Sequence, residues 1–252
     1  MSVYIPENVK IFDAAVLKWI AIITMAVDHT AAAVVNNCFI KPNTPIVKGS
    51  SIYELYQFYK VLRGIGRLAF PIFCFFLVEG FIYTRSRKKY LFRLFVFGLL
   101  SELPFDLGLF RTLQYEKHQN VMFELALGLL LLCIWEEIWK IERLNPGIRA
   151  LLQGLAIAGI MYFAYWQHLD YGFKGIGLIM LLYLLRSDRV TQCTCGAIFI
   201  SLFEWQAVFA FPLLCLYNGK RGKQHKYLFY WFYPVHLMAL YGIASLILGS
   251  WL

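Results

Sequence analysis

The chain has 252 residues, of which 60% are hydrophobic and 15% charged, and its formal net charge is +9. An ordinary soluble chain carries about 25% charged residues, so a water-soluble domain of this size cannot hide so much apolar surface. Long apolar runs without strict alternation also exclude a transmembrane barrel, and the basic residues sit between those runs as a membrane-sidedness signal, with no nucleic-acid partner expected.

Read in chain order, Glu7 and Asp13 precede the first apolar run, and no short basic region leads into a cleavable core. The first run, 17–40, is therefore expected to remain as a span rather than act as a signal peptide. Further spans are expected at 68–83, 90–110, 121–139, 148–166 and 227–248, because each approaches the length a helix needs to cross about 30 Å of hydrocarbon. The stretch 41–62 reads as the longest loop, with Ile52, Leu55, Tyr56 and Tyr59 at the spacing of a surface helix at the outer interface. Residues 172–217 are apolar but broken by Arg186, Asp188 and Arg189, and hold either two spans or three short ones.

Lys and Arg accumulate on the cytoplasmic side of membrane proteins, and this arbitrates the count. With eight spans, Lys220, Arg221, Lys223 and Lys226 fall opposite the cluster Arg85, Arg87, Lys88, Lys89 and Arg93; with nine, broken near Glu204-Trp205-Gln206, they fall together. The expectation is an all-α integral membrane protein, one polytopic bundle over 1–252 with about nine transmembrane helices (eight the alternative) and an inside amino terminus. Residues 190–203 and 207–217 are then thin, tilted or re-entrant helices shielded by neighbours. Cys38, Cys74, Cys133 and Cys215 lie in or beside apolar spans as small hydrophobes, and Cys193 and Cys195 lack the partner pair of a zinc site, so no metal is expected.

Titratable groups inside a bilayer are costly and usually face a cavity. On an α-helix His29 lies about 16 Å beyond Lys18, Glu102 about 18 Å beyond Tyr90, and His236 about 14 Å beyond Tyr227, so three groups from three helices reach similar depth. Lys18 and His29 differ by only about 20° around the helix and are expected to share a face and one groove, whereas Asp28 points about 100° away and suits a partner on another helix. Arg63 and Arg67 form a second cationic face on the opposite side of the membrane, where snorkelling to headgroups is the plainer reading. Glu79 is expected to pair locally with Arg85 or Arg87, Pro104 between Glu102 and Asp106 to kink its helix, and Glu124 to sit near the outer surface, either at a pocket mouth or simply in the headgroup region.

At this point the residues resemble a known family, TraX. The resemblance runs over most of the chain and rests on Leu17-Lys18-Trp19-Ile20 with Asp28-His29, on Gly66-Arg67-Leu68-Ala69-Phe70-Pro71-Ile72-Phe73 leading to Glu79-Gly80, and on Ser101-Glu102-Leu103-Pro104-Phe105-Asp106. It continues in Gln119-Asn120-Val121-Met122-Phe123, Asn218-Gly219-Lys220-Arg221-Gly222 and Phe232-Tyr233-Pro234-Val235-His236. The family is linked to acetylation of a pilin amino terminus and looks like the transmembrane acyltransferases of the acyltransferase-three type. That group carries an Arg, ten residues, then a His in its first span; here Lys18 replaces the Arg, a point charge without the planar fork, and His29 fits.

The resemblance implies a membrane acyltransferase of the inner (plasma) membrane, moving an acetyl group from cytoplasmic acetyl-CoA to a peptide amine or a glycan hydroxyl. Candidate catalytic residues are His29, Asp28, Glu102 and His236, with His29 as general base and Glu102 or His236 orienting it. Lys18, Arg63, Arg67, Arg85, Lys220 and Arg221 are candidates for holding the donor, and Glu79, Asp106, Glu124 and Tyr233 for the acceptor. Direct transfer and a transient acyl-imidazole both remain open. Two other classes stand beside this: a proton-coupled transporter, because buried Asp, Glu and His also build proton relays, and a non-enzymatic membrane protein of pilus or envelope assembly.

Overall fold

The computed structural model describes Pro6, 9–223 and 226–251; Glu7 and the side chain of Lys226 lie outside the described residues. Helix α1, Ala14–Thr30, continues without a break into a π-helical turn sequence, Ala31–Ile40, and a short 3₁₀ piece, Lys41–Asn43. Then follow α2 (Ser51–Gly66), α3 (Ala69–Tyr83), α4 (Arg87–Phe105) with a π-helical end (Asp106–Phe110), and α5 (Val121–Trp139). The second half holds α6 (Pro146–Trp166), α7 (Phe173–Leu184), α8 (Arg189–Ser201), the 3₁₀ turn Trp205–Phe209, α9 (Ala210–Cys215) and α10 (Lys226–Leu248). Among the described residues no strand forms beyond two isolated bridges, Phe12 to Tyr217 and Gln119 to Leu169.

The helices start where the local chemistry allows it. Asp13, Ser50, Ser86, Asn120, Asn145 and Asp188 each accept a backbone N–H of the following turn, which satisfies donors a helix start leaves unpaired. Pro146 occupies the first turn of α6, where its missing N–H costs nothing. Among the described residues, four helical stretches are long and apolar enough to cross a membrane: Ala14–Asn43, Ser51–Tyr83, Pro146–Trp166 and Tyr227–Leu248; Phe173–Leu184 and Trp205–Cys215 are shorter apolar helices. This is an all-helical membrane protein, and the three short helices expected in 172–217 are present as α7, α8 and the Trp205–Cys215 unit.

The expected loop at 41–62 is corrected. Most of it is α2, which packs along α1 and its π-helical continuation instead of lying apart as an interfacial helix. A tight turn at Arg67-Leu68 joins α2 to α3, so the second membrane-length stretch begins at Ser51 rather than 68. Two features draw α2 inward: Arg63 pairs with Asp28 of α1, and Gly66 lies so close to Asp28 that any Cβ there would run into its side chain.

The core centres on α3 and α7, whose Ile72, Phe75, Phe81, Ile176, Leu178 and Leu182 are buried with Leu129 and Leu132 of α5. All six cysteines are free thiols, with Cys38, Cys74 and Cys193 buried in apolar surroundings. The ends of the bundle are also defined. Phe12 N–H donates to Leu216 O (3.1 Å) and Ala14 N–H to Lys220 O (2.9 Å), tying the start of α1 to the segment before α10. Away from that end, segments 111–120 and 167–172 are joined by Gln119 N–H donating to His168 O (3.0 Å).

Candidate functional site

Two cavities among the described residues bear on the candidate site. The first, of about 320 Å³, lies beneath the joined segments and is lined by Asp28 and His29 of α1, Arg63 of α2, Arg67, and Tyr233 of α10, with His118, Asp170, Tyr171 and Glu204 from the connections. The shared depth expected of His29, Glu102 and His236 is realised for the two histidines. His29 and His236 meet: Nδ1 of His29 lies 2.6 Å from Nε2 of His236, and the rings are within 6° of parallel with centroids 4.9 Å apart. A short N–N contact at that centroid separation is an in-plane hydrogen bond, edge to edge, not a face stack.

The next link decides where the protons sit. His236 Nδ1 is 2.6 Å from the carbonyl oxygen of Phe232 one turn earlier on α10. A carbonyl only accepts, so Nδ1 of His236 carries the hydrogen and Nε2 of a neutral ring accepts. His29 must then donate from Nδ1, which leaves Nε2 of His29 as the lone-pair nitrogen. This tautomer is assigned from the hydrogen-bond chain. Tyr233 borders the pair with its ring 5.8 Å from that of His29.

Around the histidines the charges are paired across elements. Asp28 Oδ2 accepts from Arg63 at 2.5 Å, the interhelical partner expected for it, while its Oδ1 is buried without a partner. Arg67 Nε lies 3.4 Å from Glu204 Oε2, and Arg67 also hydrogen-bonds Tyr171, whose ring stacks on Phe70 at 3.5 Å. Arg63 and Arg67 thus line the cavity of His29 and do not form an interfacial face reaching for headgroups. Asp170 is accessible although protein surrounds it, the position of a group facing into a vestibule. That crowding raises its carboxyl pKa, with Arg67 and Arg63 pulling the other way.

Glu102 does not reach His29. Asn120 holds it instead: the Asn120 amide donates to Glu102 Oε2 and to Gly98 O (2.9 Å), and its oxygen accepts from Met122 N–H (3.0 Å), so the amide is fully used in locking α4 to the start of α5. Asp106 accepts from Tyr115 N–H (3.0 Å), beyond the proline that bends the chain into the π-helical end of α4. Glu124 is fully buried and accepts from Gly172 N–H (3.0 Å), so it pins the 167–172 segment and is not at a pocket mouth. Neither Glu102, Asp106 nor Glu124 lines either cavity.

The second cavity, about 790 Å³, opens at the end where α1 begins. Lys18, Arg85, Lys89, Arg93 and Arg221 line it with Glu79 and Tyr217. Glu79 pairs with Arg189 of α8 at 3.4 Å, not with Arg85 or Arg87; Arg87 goes to Glu136 at 3.7 Å. Lys18 rests over the rings of Phe76 and Phe229. Lys220 is exposed and outside the cavity wall, contributing its backbone to the tie with α1. Lys18 and His29 share a helix face as expected, yet they open into different cavities. Among the described residues no group of three or more His, Cys, Asp or Glu is arranged to hold a metal.

Asp170, Tyr171, His118 and Glu204 were not singled out as site residues from the sequence. All four lie in connections, and the cue available was a cluster such as Leu169-Asp170-Tyr171-Gly172, chemically rich residues between apolar runs.

An all-helical membrane protein with a paired-histidine cavity inside its helices is the class that fold and site define. The chain belongs to the TraX family: the family model, described as TraX protein, matches residues 13–244. It is also similar to the "Probable fimbrial assembly protein FimC, serogroup H1" of Dichelobacter nodosus, with 31% identity over 260 residues that cover 91% of this chain and 94% of that one. No solved structure matches the chain.

Proposed function

We propose that this protein is a membrane acetyltransferase, with His29 as general base and cytoplasmic acetyl-CoA as acyl donor. The observation that carries the reading is the chain His29, His236, Phe232 carbonyl, which leaves a lone pair on His29 Nε2 beside a cavity and a second, cationic cavity on the opposite side. Lys18, Arg85, Lys89, Arg93 and Arg221 suit an anionic nucleotide by charge. His29 Nε2 takes the proton of the acceptor amine or hydroxyl as its heteroatom bonds to the acetyl carbonyl carbon. The C–S bond breaks, and the imidazolium returns the proton to the departing thiolate, so the histidine ends as it began. Asp28 and Arg63 brace the wall beside it.

The topology that fits is nine passes in one unit spanning 1–252, amino terminus inside, in a bacterial-type inner membrane. The support is that the helices alternate between the end holding Phe12, Leu216 and Lys220 and the end holding 111–120 and 167–172. With the amino terminus inside, the cationic cavity faces the cytoplasm and the His29 cavity faces out. The acceptor is a peptide amino terminus or an envelope glycan, and the fimbrial name of the relative favours a pilus-type peptide.

In proteoliposomes supplied with acetyl-CoA and exported peptide, His29→Ala is expected to lower acetyl transfer by about 10²–10⁴-fold. Full transfer by that variant overturns the reading. The relative's name also supports a non-enzymatic assembly role, and mass spectrometry of exported peptides and envelope glycans separates the two: loss of an acetyl group on deletion belongs to the transferase alone.

A further inference from the structure

Phe73 of α3 is the residue common to the walls of both cavities. Its neighbours Ile72 and Cys74 are fully buried in the core, whereas Phe73 packs against that core and is only partly buried, at the wall of each cavity. On one side of it stand His29, Met25 and Val121; on the other stand Lys18, Phe76 and Met122. The wall between a cavity open to one end of the bundle and a cavity under the other is therefore one aromatic side chain thick at this point.

We propose that Phe73 is the partition between the donor and acceptor cavities, a positioning and selecting residue that admits a slender acyl-thioester arm and keeps the two cavities otherwise separate. The physical need is plain. An open passage through a membrane protein admits water, which would hydrolyse a thioester and dissipate ion gradients. A phenyl ring turns about two torsions and seals by packing, so it opens a narrow way without moving a helix. The role in transfer rests on the acetyltransferase reading; the partition itself does not.

The test reads sidedness without any acyl chemistry. Val121→Cys places a thiol in the wall of the His29 cavity, and a membrane-impermeant anionic methanethiosulfonate is applied to one face at a time of oriented vesicles, with the Val121 parent as control for the native cysteines. With Phe73 present, labelling of V121C is expected from the outer face only. With F73A added, labelling from the inner face is expected to rise to the outer-face rate, so side-selectivity is lost. Unchanged inner-face labelling in F73A, or two-sided labelling with Phe73 in place, overturns the proposal. Retained outer-face labelling certifies that the variant has folded; if F73A fails that check, F73L carries the same prediction with a smaller loss of ring volume. A negative labelling result beside an inactive His29→Ala leaves the transferase reading intact, and lost selectivity beside a transfer-competent His29→Ala leaves only the partition.

Discussion

His29 would be an ordinary imidazole without its neighbour on α10. His236 offers no carboxylate, so it acts on His29 by fixing which nitrogen holds the hydrogen, and the Phe232 carbonyl fixes His236 in turn. His236→Ala is expected to lower kcat by about 10²–10⁴-fold, the range in which a wrong tautomer or a lost base costs catalysis, with little change in KM. His236→Gln should recover part of the loss, since an amide oxygen can still accept from His29 Nδ1; a purely packing role would give no such rescue. Asp170 supplies a prediction on stability. The protein crowded around it raises its folded pKa above the ordinary Asp value of about 3.9, against the opposing pull of Arg67 and Arg63. The folded state therefore binds that proton more tightly, and the contribution to stability is present below the unfolded pKa and lost as pH rises through the folded one. Asp170→Asn is thus expected to melt above the parent in micelles at pH near 7, with the gap closing as pH falls towards 4. At this scale the sequence was legible where depth decides: His29 and His236 could be placed together by counting turns. The same count put Glu102 beside them, and it does not join them, because its partner Asn120 sits across a chain reversal that no spacing reveals.

The expected spans 17–40, 68–83, 148–166 and 227–248 lie within helices long and apolar enough to cross a membrane, whereas 90–110 and 121–139 are helical, in α4 and α5, but are not among those four. Helix α5 begins at Val121, where its apolar run begins, whereas α6 begins at Pro146, two residues before its run, because Asn145 caps it and Pro146 suits a first turn. The α2 segment was misread for a physical reason: its Ile52, Leu55, Tyr56 and Tyr59 stripe is what an interfacial helix shows, and its arginines look like headgroup anchors until the Asp28 carboxylate on α1 is known. Asn120 carries more than its cap, since it bonds α4 twice. Asn120→Ala is accordingly expected to cost about 2 kcal/mol, at the upper end for a lost cap, measured by thermal or denaturant unfolding in micelles. Unfolding unchanged by the substitution would remove Asn120 as the clasp between α4 and α5.

For the molecule as a whole, the charge bias carried information that no single helix holds. The clustering of Arg85 to Arg93 with Lys220 to Lys223 favoured nine passes over eight, and Arg85, Lys89, Arg93 and Arg221 do share one cavity wall. Cysteines introduced at Lys223 and Lys117 test the orientation: Lys223→Cys should react with an impermeant thiol reagent from the cytoplasmic face, Lys117→Cys from the opposite face, and the reverse pattern would sink the topology. Less legible were the vestibule residues, which depend on two distant connections meeting at Gln119 and His168. Helix α6 stands apart from all this. Of its 21 residues, only Gln153 and Ala164 are buried. Lipid rather than protein therefore sets its vocabulary: one apolar residue serves as well as another, while an Asp, Lys or Arg at its midpoint costs about 2.5–3.5 kcal/mol of insertion energy. Across relatives α6 should be the freest helix to drift in spelling and the least free to drift in polarity.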